Sequence, residues 1–285
     1  MILITGATGN VGSHVVRELS DKGVRVRALV RDPAKAAGML GGGIELAGGD
    51  FSDAASVRRA MKGVTEVFLA CSNQPHQVEY EIGVIDAAAA TGVQRIVKLS
   101  ALGAQVGSPL QFWDWHGRIE LHLRRSAVPA VILRPSFYMS GLLGSADAVR
   151  HTGKLFAPAE GARIAMIDPR DVAAVAGVVL TATGHKGETH VITGPEAITF
   201  GRIAEELSAA TGRRVEFVDV PDERARQGLV AAGMPDWLAE QLVVLFGMLR
   251  QNVHEQTTDT VRALTGREPR AFAQFAHDHA APFRP

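Results

Sequence analysis

The chain opens with a short apolar run that leads directly into a glycine-rich turn, Ile2-Leu3-Ile4-Thr5-Gly6-Ala7-Thr8-Gly9-Asn10-Val11-Gly12. Val15 and Leu19 continue an apolar stripe at helical spacing, and Gly23 follows as the expected left-handed end of that helix. Three evenly spaced glycines between a strand and a helix are typical of a turn that binds the paired phosphates of a dinucleotide. We expect backbone N–H groups of the turn and of the helix start to bind these phosphates. The residues concerned are Gly6, Thr8, Gly9, Asn10, Val11 and Gly12.

Short apolar runs alternate with amphipathic helical runs through the first half of the chain. The apolar runs lie at residues 2–4, 24–30, 44–46, 67–70, 96–99 and 130–133. This alternation is typical of parallel strands whose crossover helices cover both faces of one sheet. We therefore predict an α/β fold built on a doubly wound parallel sheet of the Rossmann type.

The pattern loosens near the middle of the chain. Later segments predict two further strands, at about 189–193 and 215–220, followed by mostly helical residues. We expect residues 1–155 to form the dinucleotide-binding domain and residues 156–285 to form mostly a smaller C-terminal α+β cap lobe. Residues from about 165 to 195 are expected to return to the larger domain.

Composition and charge disfavour several classes of protein. The 285 residues include 30 basic (Lys and Arg) and 30 acidic (Asp and Glu) side chains, so nucleic acid is not an expected partner. Cys71 is the single cysteine, which excludes an internal disulfide and fits a reducing compartment. No apolar run approaches the ~20 residues of a membrane-spanning helix. We expect a cytoplasmic protein without a membrane partner.

The end of the second predicted strand favours NADP(H) over NAD(H). An NAD site usually has an acidic residue there for the ribose 2′-hydroxyl, whereas this strand ends with Arg31. Arg31 and Lys35 can bind a 2′-phosphate through a planar guanidinium and a nearby ammonium. Asp32 leaves NAD(H) open, since a carboxylate that points inward would bind the ribose hydroxyls.

Residues after the later strands extend the predicted cofactor site. Asp50, with Phe51 beside it, could accept a hydrogen bond from the adenine amino group, or it could cap the following helix. Ala70 and Cys71 are expected beneath the adenosine ribose, with Cys71 as a packed thiol and not a nucleophile. The residues expected to border the nicotinamide are Ser136 and Phe137.

Seven stretches of the sequence together carry a family resemblance. They are Thr-Gly-Ala-Thr-Gly-Asn-Val-Gly at 5–12, Leu-Val-Arg-Asp-Pro-Ala-Lys at 29–35, Gly-Asp at 49–50, Ile-Val-Lys-Leu-Ser at 96–100, His-Gly-Arg-Ile-Glu at 116–120, Leu-Arg-Pro-Ser-Phe at 133–137 and Asp-Pro-Arg-Asp-Val-Ala at 168–173. On these stretches the sequence resembles the NmrA-like group of the atypical short-chain dehydrogenase/reductases. The resemblance covers nearly the whole chain and implies an NAD(P)-binding Rossmann fold.

The resemblance implies two functions. The group includes NAD(P)H-dependent reductases of quinones, azo dyes and triphenylmethane dyes, so we expect an NADPH-dependent oxidoreductase that transfers hydride to a quinone-like or conjugated aromatic acceptor. The group also includes proteins that only sense the nicotinamide redox ratio, and the alternative is such a sensor, without turnover and with a regulatory protein partner. A homodimer is compatible with both.

One departure from the wider superfamily keeps the alternative open. The superfamily uses a Tyr-x-x-x-Lys pair for proton transfer, but neither Tyr80 nor Tyr138 has a lysine four residues later. An enzyme without this pair could still reduce an acceptor whose product anion is already stabilised, because that chemistry needs mainly proximity and orientation.

Catalytic and substrate contacts are expected after the fifth and sixth predicted strands. His116, at the start of a helix marked by Ile119 and Leu123, is the first candidate for a proton donor, because the usual histidine pKa lies near neutrality. Tyr138 and Ser100 are second choices. Clustered aromatic residues suggest a flat apolar pocket, and no metal site is predicted. The predicted pocket residues are Phe112, Trp113, Trp115, Tyr138 and Met139.

Overall fold

Seven parallel strands form the central sheet of the computed structural model, which describes all 285 residues. In the order in which they pair, the strands are β3 (Glu45–Gly48), β2 (Val26–Val30), β1 (Ile2–Ile4), β4 (Glu66–Leu69), β5 (Arg95–Leu99), β6 (Ala130–Pro135) and β8 (Thr189–Ile192). The direction in which the chain adds strands reverses between β1 and β4. Ligands of open parallel sheets bind at such a switch point, beyond the carboxyl ends of the strands. The predicted α/β fold is confirmed.

Helices cover both faces of this sheet. On one face lie α1 (Gly12–Asp21), α2 (Pro33–Leu40), α7 (Pro169–Thr181) and α11 (Thr260–Thr265), and on the other lie α3 (Ala54–Ala60), α4 (Gln77–Thr91) and α5 (Gln111–Arg125). Ile2 and Ile4 belong to the first core and Leu3 to the second, because side chains alternate along a strand. Burial of both faces explains why the strands are continuous apolar runs. No helix combines the length and apolar character that crossing a membrane requires.

A smaller lobe contributes residues to the carboxyl edge of the sheet. It contains a two-stranded parallel sheet of β7 (Lys154–Ala157) and β9 (Glu216–Asp219), two 3₁₀ helices (Met139–Ser145 and Ala281–Phe283), and the helices α6 (Ala146–Thr152), α8 (Phe200–Thr211), α9 (Asp222–Ala231), α10 (Asp236–Leu249) and α12 (Phe272–Asp278). Its core is apolar and includes Phe200, Phe272, Phe275 and Phe283. The lobe therefore has a hydrophobic core of its own.

β7 and α5 are among the elements that differ from those predicted from the sequence. β7 was not predicted, because it is only four residues long and begins with Lys154, and its residues are alternately exposed and buried. α5 begins at Gln111, ahead of the apolar residues that mark it in the sequence, because Phe112 and Trp113 are already buried in its first turn. His116 consequently lies inside this helix and not at its start.

Residues 165–195, which we assign to the larger domain, contain α7 and β8. β8 pairs in parallel with β6, and Val172 and Val175 of α7 belong to the same core as Val15 of α1. Val261 of α11 joins that core from the C-terminal part of the chain. The limits of the two domains stay a prediction.

Candidate active site

A cavity of about 820 Å³ opens beyond the carboxyl ends of the strands. Its volume is typical of sites that bind cofactors and drug-sized ligands. Residues that follow β1, β2, β3, β4, β5 and β6 all line it, together with residues of α5, of α10 and of the loop after α10. The cavity thus lies at the edge where a doubly wound sheet binds its ligands.

Most of the predicted site residues line this cavity. They are Gly6, Thr8, Gly9, Asn10, Val11, Gly12, Arg31, Asp50, Phe51, Ala70, Cys71, Ser100, Phe112, Trp113, His116, Ser136, Phe137 and Tyr138. Lys35, Trp115 and Met139 do not line it.

The glycine turn approaches the start of α1 too closely for side chains. Gly6 has φ +59°, and the amide of Gly9 donates to its carbonyl at 2.9 Å. A Cβ on Gly12 would lie 2.1 Å from the Gly6 carbonyl oxygen, so only glycine fits there. The N–H groups of Thr8, Asn10 and Val11 have no acceptor within the protein. Unpaired amides at a helix start form an anion-binding site, which fits the paired phosphates of a dinucleotide.

Side-chain hydrogen bonds of Thr5 and of Asn10 connect this turn to the rest of the molecule. Oγ1 of Thr5 accepts from the Ala70 amide at 2.8 Å and lies 2.9 Å from the Ala70 carbonyl oxygen, which ties the end of β1 to the end of β4. Nδ2 of Asn10 donates to Oγ of Ser140 at 2.8 Å. Ser140 belongs to the 3₁₀ helix after β6, so this second bond joins the turn to the smaller lobe.

The residues after β2 have separate roles. Arg31 lines the cavity, whereas the carboxylate of Asp32 caps α2 by accepting from the Lys35 amide at 3.1 Å. The Asp32 carboxylate therefore does not point inward to ribose hydroxyls. The possibility that Asp32 favours NAD(H) no longer applies. Lys35 is exposed on α2 and does not line the cavity, because the Asp-Pro sequence starts the helix before it.

The opposite wall of this end of the cavity contains Asp50, Phe51 and Cys71. Asp50 accepts hydrogen bonds from the amide and the hydroxyl of Ser52 at 2.8 and 2.6 Å, and these bonds lower its pKa. Asp53 and not Asp50 caps α3, so the capping alternative for Asp50 is wrong. Phe51 stacks on Tyr80 with 6.1 Å between ring centroids. Burial raises the pKa of Cys71 to about 11, so its thiol is protonated.

The aromatic residues of α5 divide between the cavity and the packing of the smaller lobe. Phe112 and Trp113 line the cavity, and Gly103 leaves the space that the Trp113 ring occupies. Trp115 packs instead against Phe112 and Trp237 of α10, with centroids 5.7 and 6.2 Å away. Its assignment to the pocket is wrong, because nearby residues of a helix point in different directions.

The assignment of Met139 to the pocket is also wrong. This residue is buried in the core of the smaller lobe, where it begins the 3₁₀ helix that follows β6. Tyr138, directly before this helix, remains part of the cavity lining, and so does Gly141 within the helix.

His116 belongs to a buried charged network. The ammonium of Lys98 lies 2.8 Å from Oε2 of Glu81 and 3.3 Å from Nδ1 of His116, and it also donates to the Leu99 carbonyl. Burial and the Lys98 charge lower the pKa of His116 well below its usual value. The imidazole is therefore neutral at pH 7, and the prediction of a proton donor with a pKa near neutrality is wrong. With Nδ1 accepting from Lys98, Nε2 carries the proton.

The two second-choice proton donors differ in availability. The hydroxyl of Ser100 donates to Glu120 at 2.6 Å, and Glu120 also binds Arg134 through both of its oxygens. Ser100 is therefore held as an acceptor toward the cavity. Burial raises the pKa of Tyr138, so its phenol keeps its proton and can donate a hydrogen bond.

The sequence model of the NmrA-like family matches residues 1–275 of this chain. The chain belongs to the NmrA-like family. It is 37% identical over 283 residues to the NAD(P)H azoreductase of Xenophilus azovorans, with 99% of each chain covered. It is 38% identical over 286 residues to the (4-alkanoyl-5-oxo-2,5-dihydrofuran-3-yl)methyl phosphate reductase of Streptomyces griseus subsp. griseus, with 100% of each chain covered.

Solved structures agree with this assignment. The NADPH-dependent quinone oxidoreductase of Escherichia coli, solved in complex with NADPH, is similar to this NmrA-like protein with a TM-score of 0.89 and 31% identity. The match covers 98% of this chain and 99% of that chain. The family resemblance stated from the sequence is thus confirmed.

Two site residues of this NmrA-like protein were missed. His254, in the loop after α10, is buried and lines the cavity, where its ring stacks on Trp113 at 5.4 Å between centroids. Its Nδ1 lies 3.4 Å from Oγ of Ser136, its Nε2 has no partner, and burial lowers its pKa to about 4. Lys98, which contacts His116, was noted only as part of the family stretch Ile-Val-Lys-Leu-Ser at 96–100. Neither residue has a local sequence signal, since both act through contacts distant in the chain.

Replacing Lys98 with methionine should strongly destabilise this NmrA-like protein. Lys98→Met leaves the carboxylate of Glu81 buried without its counter-charge, which costs roughly 3–5 kcal/mol in the free energy of unfolding. Denaturant unfolding of Lys98→Met and of the double variant Lys98→Met/Glu81→Gln measures this effect. The double variant should recover most of the loss, because an uncharged amide in place of the Glu81 carboxylate still accepts the hydrogen bond from Gln77. Equal losses of unfolding free energy in the single and the double variant would contradict the assignment of Lys98 and Glu81 as a buried ion pair.

Proposed function

We propose that this protein is an NADPH-dependent reductase that transfers hydride to a conjugated, electron-poor acceptor of the quinone class. One observation carries the proposal: a turn with unpaired amides and an aromatic wall, which contains Phe112 and Trp113, line the same cavity. The similar azoreductase, dihydrofuranyl phosphate reductase and quinone oxidoreductase support it, since azo, butenolide and quinone groups are all conjugated acceptors.

We assign the cofactor to the residues along the sheet edge. The glycine turn binds the paired phosphates, Arg31 binds the 2′-phosphate, and Asp50 and Phe51 contact the adenine. Ala70 and Cys71, which line the cavity, would hold the adenosine ribose. The residues assigned to the nicotinamide end are Ser136 and Phe137.

The reaction needs hydrogen-bond donors more than a strong acid. A reduced nicotinamide bound in this cavity would supply the hydride. Phe112 and Trp113 would hold a flat acceptor and exclude water. Nε2–H of the neutral His116 and the phenol of Tyr138 donate hydrogen bonds to the acceptor atom on which negative charge develops. His254 contributes an unpaired imidazole nitrogen to the same cavity and orients the acceptor. A delocalised hydroquinone anion then takes its proton from solvent.

NADPH oxidation with a panel of quinones, azo dyes and butenolides tests this function. We expect saturable turnover of at least one acceptor class, and His116→Phe should lower kcat while leaving NADPH affinity unchanged. The alternative predicts a different result, because a redox sensor would bind NADP(H) saturably and turn over none of these acceptors. That outcome would overturn the proposal and would direct attention to a regulatory protein partner.

We also propose a cytoplasmic protein that can form a homodimer.

Arg31→Glu should weaken NADPH binding far more than NADH binding. Loss of a charge-assisted hydrogen bond to the 2′-phosphate costs roughly 1.5–3 kcal/mol, and the new carboxylate adds repulsion that NADH does not experience. Fluorescence titration with both nucleotides measures the difference. Arg125→Glu is the matched control, because this exposed arginine ends α5 outside the cavity. Equal losses of NADPH and NADH affinity would rule out the assigned role of Arg31.

Turnover at saturating NADPH should be nearly independent of pH from about pH 6 to about pH 9, between the usual histidine and tyrosine pKa values. The pKa of His116 is lowered, so its ring becomes charged only in more acidic solution. The pKa of Tyr138 is raised, so its phenol ionises only in more alkaline solution. The measurement is kcat with a quinone across this range. A limb at a normal histidine or tyrosine pKa that vanishes in His116→Phe or Tyr138→Phe would refute this description.

A further inference from the structure

Two histidines and a glutamate converge at the amino-terminal end of β8, at the edge of the sheet opposite the cavity. Nδ1 of His185 lies 2.8 Å from Oε2 of Glu188, and Nε2 of His190 lies 3.1 Å from the same oxygen. The donor atoms of the three residues all lie within 4.8 Å of one another. No metal site is predicted from the sequence, since only the turn before β8 brings these residues together.

Hydrogen bonds do not satisfy the whole cluster. Nε2 of His190 is buried without a hydrogen-bond partner, because its short approach to Glu188 lacks the geometry of a hydrogen bond. An unpartnered buried nitrogen is unfavourable and requires an explanation. An imidazole nitrogen without a partner and a carboxylate oxygen are both groups that bind metal ions.

The turn that carries the cluster is held by the body of the protein. The buried guanidinium of Arg95 donates to the carbonyls of Ala182 and Gly184 at 2.9 and 3.0 Å. The amide of Gly187 donates to the carbonyl of Ala130 at 2.8 Å. Because the backbone is fixed on both sides of His185, the three donors are pre-organised before any ion arrives.

We propose that His185, Glu188 and His190 form a zinc site. Two imidazole nitrogens and one carboxylate oxygen are a ligand set that Zn²⁺ takes in tetrahedral sites, with water in the fourth position. The fourth position is open to solvent, because Glu188 is half exposed and lines a surface cavity of about 440 Å³. A bound ion would fasten the turn to β8, the edge strand of the main sheet, and would lie far from the catalytic cavity. This site is independent of the reductase function.

Zinc titration of the metal-free protein, produced without a histidine tag, tests the site. Calorimetry should give one Zn²⁺ per chain, and Co²⁺ in its place should give the visible absorption of a tetrahedral site. His190→Gln and Glu188→Gln should each weaken zinc binding at least about 10-fold, since even outer contacts to ligands matter by that factor. The matched control is His122→Gln, because His122 also contacts a carboxylate, Asp86 at 2.7 Å, without a second imidazole in the group.

Thermal unfolding supplies a second readout. Zinc should raise the Tm of the wild type and of His122→Gln but not that of the two ligand variants, because an ion that binds only the folded chain stabilises it. Glu188→Gln alters a half-exposed side chain, so it carries the test if His190→Gln does not fold. The proposal is overturned if the wild type takes up no zinc, if both ligand variants bind it as tightly as the wild type, or if His122→Gln loses it.

Discussion

The start of α1 lies against the backbone of the glycine turn, and the arrangement of the carboxyl edge depends on this contact. No Cβ fits between Gly12 and the carbonyl of Gly6, so the first turn of the helix and the end of β1 are held at backbone contact. The Thr5 hydroxyl extends this fixed point to β4 on the other side of the switch point. The unpaired amides of the turn therefore have a defined position relative to every other strand end that lines the cavity.

Buried charge at the far end of the cavity complements this polar turn. The Lys98–Glu81 pair joins β5 to α4, and Lys98 contacts Nδ1 of His116 on α5. Burial and this lysine charge together keep His116 neutral. A neutral histidine, a protonated phenol and a serine committed to Glu120 make a site rich in donors and poor in acids. Such a site suits acceptors that stabilise their own anion. It also makes a Tyr-x-x-x-Lys pair unnecessary for the proposed reaction.

The sequence predicted those features that are encoded locally. The alternation of apolar runs and helices predicted the parallel sheet. The spacing of Gly6, Gly9 and Gly12 predicted the turn with unpaired amides, and the position of Arg31 at a strand end placed it at the cavity. The sequence did not show which residues of α5 face the cavity. Trp113 and Trp115 are only two residues apart, yet Trp113 lines the cavity and Trp115 packs against the smaller lobe.

Features that depend on distant contacts could not be predicted. His254 reaches the cavity only because its loop returns to Trp113. The pKa of His116 is lowered by burial and by the charge of Lys98, which lies on β5 and not on the helix of His116. Neither contact leaves a periodic pattern in the sequence from which it could be predicted. The cluster of His185, Glu188 and His190 was missed for a related reason, since a turn with Arg95 beneath it, and not ligand spacing alone, brings the donors together.

The hydrogen bond between Asn10 and Ser140 has a consequence for access to the cavity. It joins two exposed, neutral side chains, one on the glycine turn and one on the 3₁₀ helix that leads into the smaller lobe. A bond of this kind contributes only about 0.5–1.5 kcal/mol, which thermal motion overcomes readily. This hydrogen bond can break and re-form as ligands enter and leave the cavity, while the hydrophobic cores of the sheet and of the smaller lobe remain packed.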